Sequence, residues 1–228
     1  MKCIIIGLGN FGSSLSEKLT QMGHEVIGVD SKMSRVEALK EKITHTVCLD
    51  CTDSQAVSHL PLKDTDIVIV CIGEDEGDNI MATALMKRLK VKRLISRAVS
   101  PLHETVLEAM GVDEIVHPEE ETADRWAKKL NISGVIDSFD LTGEYSIIEA
   151  TVPPRYVGKT LLDAGFRKNY DVVVLTTIKV TEEDNLIGIT RKISKVQGVA
   201  SSRTLLSEGD ILVMYGNIKD IERLLKEE

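Results

Sequence analysis

The sequence predicts an α/β protein: an N-terminal Rossmann domain with a doubly wound parallel sheet of about six strands, then a small C-terminal α+β domain. Three observations carry that prediction. A short apolar strand at residues 3–6 runs into glycines at GxGxxG spacing. Strands then alternate with helices of crossover length as far as residue 117. Past Gly134 the texture changes to alternating strands and a closing amphipathic helix. The domains are accordingly drawn at 1–134 and 135–228.

Cys3, Ile4, Ile5 and Ile6 have the length and composition of a strand buried on both faces. Gly7 permits the tight turn that follows, Gly9 lets a pyrophosphate approach the backbone, and Gly12 lets the next helix pack close to the sheet. That helix, 11–22, carries Phe11, Leu15, Leu19 and Met22 at helical spacing and aims its unpaired N–H groups and positive dipole end at the phosphates. A second strand, 25–30, ends in Asp30, where a Rossmann unit places the carboxylate that reads ribose hydroxyls. The alternation continues with helix 33–42, strand 45–49, helix 54–60, strand 66–72 and helix 78–90, then strand 91–97, helix 103–110 and strand 114–117. Pro118 opens a last helix with Glu119, Glu120 and Glu121 in its first turn. Its stripe of Ala123, Trp126, Ala127 and Leu130 is a candidate for a subunit interface or for packing within the chain.

Beyond it the sequence predicts strand 145–152, a turn at Pro153 and Pro154, a short helix 159–164 and strand 172–178. An acidic turn at 182–185, a strand at 186–189 and a basic loop at 191–203 follow. The chain then predicts strand 211–215 and a helix with Ile218, Ile221, Leu224 and Leu225 on one face.

Composition removes several functions. A net charge of −8 without a basic cluster lacks the electrostatic footprint of a nucleic-acid binder. No apolar run approaches the roughly 20 residues that span a bilayer, so a cytoplasmic protein without direct membrane insertion is expected. Three of the four cysteines, Cys3, Cys48, Cys51 and Cys71, fall in or beside buried strands, where a thiol serves as a small hydrophobe. Cys48 and Cys51 have redox-motif spacing, but at a strand end and with no second ligand pair for zinc nearby.

With the glycine loop, the acid after strand two and the C-terminal module together, the chain resembles the regulatory subunits of bacterial Trk/Ktr potassium uptake systems. These join an RCK-N (KTN, Rossmann) domain to an RCK-C (TrkA-C) domain. The resemblance rests on Gly7-Leu-Gly-Asn-Phe-Gly12, Val29-Asp30, Leu49-Asp-Cys-Thr-Asp53, Val68-Ile-Val-Cys-Ile-Gly73 and Ser96-Arg-Ala98, with Gly111-Val-Asp-Glu-Ile-Val-His-Pro-Glu119, Gly158-Lys-Thr-Leu161 and Glu208-Gly-Asp210 further on. It implies a cytosolic, non-enzymatic gating subunit that binds ATP/ADP or NAD(H) and forms dimers that assemble into an octameric ring. The ring would sit at the inner face of the membrane through its potassium channel partner.

The resemblance also implies roles for particular residues. Asp50 and Thr52 match a loop bordering the adenine, in which Cys51 replaces the usual alanine and Leu49 the usual glycine; the helix-capping alternative for Asp50 and Thr52 stays open. Ile72, Gly73 and Glu74 end strand four beside the glycine loop, at the topological switch point where such sheets bind ligands. Arg97 ends strand five and would reach adenine or ribose, or else form a surface ion pair. Asn10, beside Phe11, stands where the ATP-gated branch often has an arginine that reaches a neighbour's terminal phosphate, which brings NAD(H) forward as a competitor. Glu119 matches an acid that helps place a cation, magnesium or another, near the phosphates. Arg167 and Asn169 match a segment lining a cyclic di-AMP pocket at a dimer interface. The competing reading is an NAD(P)-dependent oxidoreductase using the same glycine loop, against which stands the small second module without an evident proton donor.

Overall fold

The computed structural model describes residues 1–141, 144–184 and 190–226. The chain divides into two compact units, Met1–Glu120 and Glu121–Glu228.

The first unit runs β1 (Lys2–Ile6), α1 (Asn10–Gln21), β2 (Glu25–Asp30), α2 (Met33–Leu39), β3 (His45–Cys48), α3 (Ser54–Val57), β4 (Ile67–Val70), α4 (Glu76–Arg88), β5 (Leu94–Arg97), α5 (Pro101–Ala109) and β6 (Glu114–Val116). Its six strands form one parallel sheet in the order β3-β2-β1-β4-β5-β6. The strand alternation explains the double winding. Ile4 and Ile6 enter one core with Val57 of α3 and Ala82, Leu85 and Met86 of α4. Ile5, between them, enters the other core with Leu15 and Leu19 of α1 and Val36 and Leu39 of α2. A strand covered on both faces must be apolar at every position, which is why β1 reads as a continuous hydrophobic run. The order reverses between β1 and β4, so the carboxyl ends of those strands open a crevice between the loops that follow them.

A helix, α6 (Pro118–Asn131), crosses the division between the units. The second unit continues with β7 (Val135–Asp140), β8 (Tyr145–Thr151), α7 (Leu161–Ala164), α8 (Phe166–Tyr170), β9 (Val173–Asp184), β10 (Thr190–Val196), β11 (Ile211–Asn217) and α9 (Ile218–Lys226). Its sheet is antiparallel throughout, in the order β10-β9-β11-β8-β7. Ile148, Ala150, Leu212 and Met214 face a core closed by Ile221 and Leu224 of α9 and by Phe166 and Tyr170 of α8.

Several details of this unit depart from expectation, beginning with β7, since the sequence predicts no strand of the unit before residue 145. The segment 191–203, read as a basic loop, begins inside β10, and the acids 182–184, read as a turn, complete β9. Both strands carry charged residues where an apolar repeat would have revealed them. The strand expected at 186–189 lies outside the described residues.

Candidate nucleotide site

The site grows from the turn after β1. Gly7 has φ +92°, and a Cβ there would lie 2.9 Å from the Ile72 nitrogen; a Cβ on Gly12 would lie 1.9 Å from the Gly7 carbonyl oxygen. Those two positions admit no side chain because backbone passes against backbone. Gly9 is different. It is the N-cap of α1 with φ −68°, and nothing lies within 4 Å of a Cβ built on it. The space above Gly9 is therefore open, and the first N–H groups of α1 point there without intrahelical partners.

Asp30, buried at the end of β2, holds this loop in place. Its Oδ2 accepts the Leu8 N–H at 2.7 Å and its Oδ1 accepts the Lys32 N–H at 2.8 Å. Its carboxylate lines the cleft and keeps lone pairs beyond those two bonds. Arg35 of α2 approaches from the side, with Nη1 3.5 Å from Asp30 Oδ2.

Asp50 folds the loop after β3 by accepting the Thr52 N–H at 2.8 Å and the Thr52 hydroxyl at 2.7 Å. These two bonds hold the Asp50 carboxyl below its ordinary range. The cap of α3 is instead Asp53, which accepts the Gln55 N–H at 2.8 Å, so neither Asp50 nor Thr52 caps that helix. Cys51 is buried there, and desolvation pushes its thiol up to about 12; the same burial does so for Cys71. All four cysteines are free, with Cys48 exposed and Cys51 buried, so the pair does not form a disulfide.

On the far side, Asn79 of α4 binds the ends of β4 and β5 together. Its amide donates to the Ile72 carbonyl at 2.8 Å and the Arg97 carbonyl at 3.1 Å, while its oxygen accepts from Ser96 Oγ at 3.0 Å. Arg97 lies across Gly73, where a Cβ would stand 2.4 Å from Arg97 Nη1, and its guanidinium pairs with Glu119. Glu74 pairs with both Lys32, at 2.9 Å, and Arg35.

These elements enclose a cleft of about 490 Å³. Gly7, Gly9, Asn10, Phe11, Asp30, Asp50, Cys51, Thr52, Ile72, Gly73, Glu74, Arg97 and Glu119 all border it. Gly12 lies beneath the loop rather than on the cleft wall. Sequence reasoning missed Lys32 and Arg35, the cleft's remaining cations besides Arg97; their signal was position, as the first basic residues after the acid that ends β2. Glu119 faces Arg97, and among the described residues no group of three His, Cys, Asp or Glu side chains could hold a metal ion.

In the second unit, Arg167 lines a separate cavity of about 430 Å³ with Leu161, Phe166, Val172 and Ser201. Asn169 does not line it, and its backbone carbonyl accepts from Arg223 at 3.3 Å. On α6, Trp126 and Leu130 are exposed, and Lys129 Nζ stands 4.7 Å from the Trp126 ring centroid. No helix among the described residues is long and apolar enough to cross a membrane.

Comparison with known proteins fits this geometry. Residues 3–118 match the TrkA-N domain. The Ktr system potassium uptake protein C of Bacillus subtilis is 33% identical over 222 residues, covering 97% of this chain and 95% of that protein. A crystal structure of the GsuK RCK domain superposes with a TM-score of 0.67 at 20% identity over 99% of this chain, and the GsuK channel bound to NAD with 0.65 at 19% over all of it. This chain spans 48% and 39% of those two chains. At such identity the two structures establish the shared fold. The domain match and the similarity along nearly the whole length establish the family: the chain belongs to the TrkA-N family of Trk and Ktr potassium uptake proteins.

Proposed function

We propose that the chain is the nucleotide-binding regulatory subunit of a Trk/Ktr-type potassium uptake channel, acting by ligand-driven conformational change rather than by catalysis. The observation that carries this is the open space over Gly9, where the start of α1, the Asp30 carboxylate and the ends of β3 and β4 converge on one cleft. A diphosphate over the loop would take the free N–H groups of α1, and ribose hydroxyls would donate to Asp30. Adenine would then lie toward Asp50, Cys51 and Thr52. ATP/ADP and NAD(H) share these groups. Asn10 supplies hydrogen bonds but no charge for a terminal phosphate, which favours NAD(H).

In this reading residues 1–134 form the RCK-N domain and 135–228 the RCK-C domain. The protein works in the cytoplasm as dimers joined in an octameric ring, held at the membrane through the channel subunit. A cation such as magnesium at the phosphates would draw on Glu119, released from Arg97. Arg167 and Asn169 would serve a second ligand, cyclic di-AMP, at a dimer interface. Gating energy is bounded by the difference in a nucleotide's affinity for the two ring states, typically about 1–3 kcal/mol per coupled site.

A thermal-shift titration with ATP, ADP, NAD and NADH at fixed magnesium tests the reading. A ligand confined to the folded state stabilises it by about 2.7 kcal/mol at a hundred times its Kd. Stabilisation by at least one of the four is expected, and none by any would remove the cleft as a nucleotide site.

A further inference from the structure

Glu74 reaches across the cleft. It belongs to the loop after β4, yet its carboxylate is bonded to two cations of the segment after β2: Lys32 Nζ stands 2.9 Å from Oε2, and the Arg35 guanidinium meets Oε1. Those two cations flank Asp30, Lys32 through its backbone N–H at 2.8 Å and Arg35 through Nη1 at 3.5 Å. They are thus the cations beside the carboxylate where a bound ribose would present its 2′ position, while Arg97, the third cation of the cleft wall, is engaged by Glu119. In Rossmann sites an acid at this strand end reads a 2′-hydroxyl, and a nearby arginine is what accommodates a 2′-phosphate. This site holds both kinds of group and a second carboxylate that occupies the arginine.

Building on the nucleotide reading above, we infer that Glu74 is a specificity residue, an internal counter-ion that takes the place of a 2′-phosphate on Lys32 and Arg35 and so selects nucleotides with a free 2′-hydroxyl. A 2′-phosphate carries up to two negative charges. Entering here, it would meet Asp30 and Glu74 together and would have to break both of the Glu74 ion pairs before gaining its own. A ribose 2′-hydroxyl needs neither step, since it donates to Asp30 and leaves Lys32, Arg35 and Glu74 as they stand. An exposed ion pair ordinarily contributes little to folding stability. Here the consequence is read in ligand choice, where removing a repulsive group shifts the ratio of two affinities directly.

The experiment is a pair of calorimetric titrations, NAD and NADP, into the wild-type protein, Glu74→Gln, and Glu74→Gln combined with Arg35→Ala, each checked for an unchanged unfolding transition. The wild type is expected to prefer NAD by about tenfold or more, Glu74→Gln to lower that preference by about fivefold, and Arg35→Ala in the same background to restore it. A preference in Glu74→Gln within about twofold of the wild type, or a wild type that binds both equally, would overturn the inference while leaving the site intact. A wild type that binds neither NAD nor NADP, and shows no binding in a control titration with ADP, would overturn the site itself and the inference with it.

Discussion

In the first unit consecutive residues of one strand serve two different cores, Ile4 and Ile6 on one side of the sheet and Ile5 on the other. In the second unit only alternate residues of β11 and β8 are buried: Leu212 and Met214 lie in the core, while Tyr215 faces outward and stacks on Tyr145 with ring centroids 5.8 Å apart. The difference follows from helices covering both faces of the parallel sheet, whereas the antiparallel sheet packs α8 and α9 on one face. It also separates the demands on the two sequences. A strand covered on both faces, such as β1 or β4, is apolar along its buried length, and the loops at the carboxyl ends are left to carry ligand chemistry.

The largest expected effects test that contrast directly. Ile4→Ala and Ile5→Ala, neighbours in β1, should each cost about 2–5 kcal/mol, because both side chains are fully buried. In β11, Met214→Ala should cost as much while its neighbour Tyr215→Thr stays within about 1 kcal/mol. Urea denaturation monitored by circular dichroism would show it; equal costs at Met214 and Tyr215 would mean that the outward face is covered.

Gly12→Ala comes next. Its Cβ would meet the Gly7 carbonyl at 1.9 Å, and the penalty should reach the upper end of the overpacking range, about 3 kcal/mol. Asp30→Ala leaves the N–H of the buried Leu8 without its acceptor, at about 1–3 kcal/mol, so lost nucleotide affinity in that variant would confound folding with binding. Asp30→Asn keeps an acceptor for Leu8 and should recover most of that stability, which thermal unfolding of the two variants would compare.

A smaller, pH-dependent effect belongs to His103 of α5. The ring is buried and neither nitrogen has a hydrogen-bond partner, and desolvation lowers its pKa below the ordinary value. The unfolded chain therefore takes the proton first. Stability should be flat above about pH 6.5 and fall as the pH drops toward the lowered folded value, with a slope of at most about 1.4 kcal/mol per pH unit. Denaturation midpoints for the wild type and His103→Leu between pH 8 and 5, roughly the range in which histidine titrates, should diverge only at the acid end.

The same contrast explains what the sequence disclosed. The inner strands β1 and β4 were legible because burial on both faces writes continuous apolar runs, the half-exposed edges β3 and β6 only through the alternation of strands with helices, and Gly7 and Gly12 because backbone geometry restricts those positions. The two strands that escaped, β7 and β10, are the edges of the antiparallel sheet, and their Asp137, Asp140, Arg191 and Lys195 resemble loop composition. Lys32, Arg35 and Asn79 escaped for another reason. Each acts through tertiary contacts, Lys32 and Arg35 by meeting Glu74 across the cleft and Asn79 by joining two strand ends, and no local pattern encodes such meetings. Likewise, the bond from Leu8 to Asp30 spans 22 residues, so the acid's part in holding the loop appeared only in the fold.

Gly9 offers the most direct measurement, because a side chain there meets open space instead of the protein. Gly9→Val should unfold within about 1 kcal/mol of the wild type, the scale of an N-cap change, yet lose about tenfold or more in affinity for NAD and ADP by calorimetry. A Gly9→Val protein that binds either nucleotide as tightly as the wild type would contradict the assignment of the loop as the phosphate site.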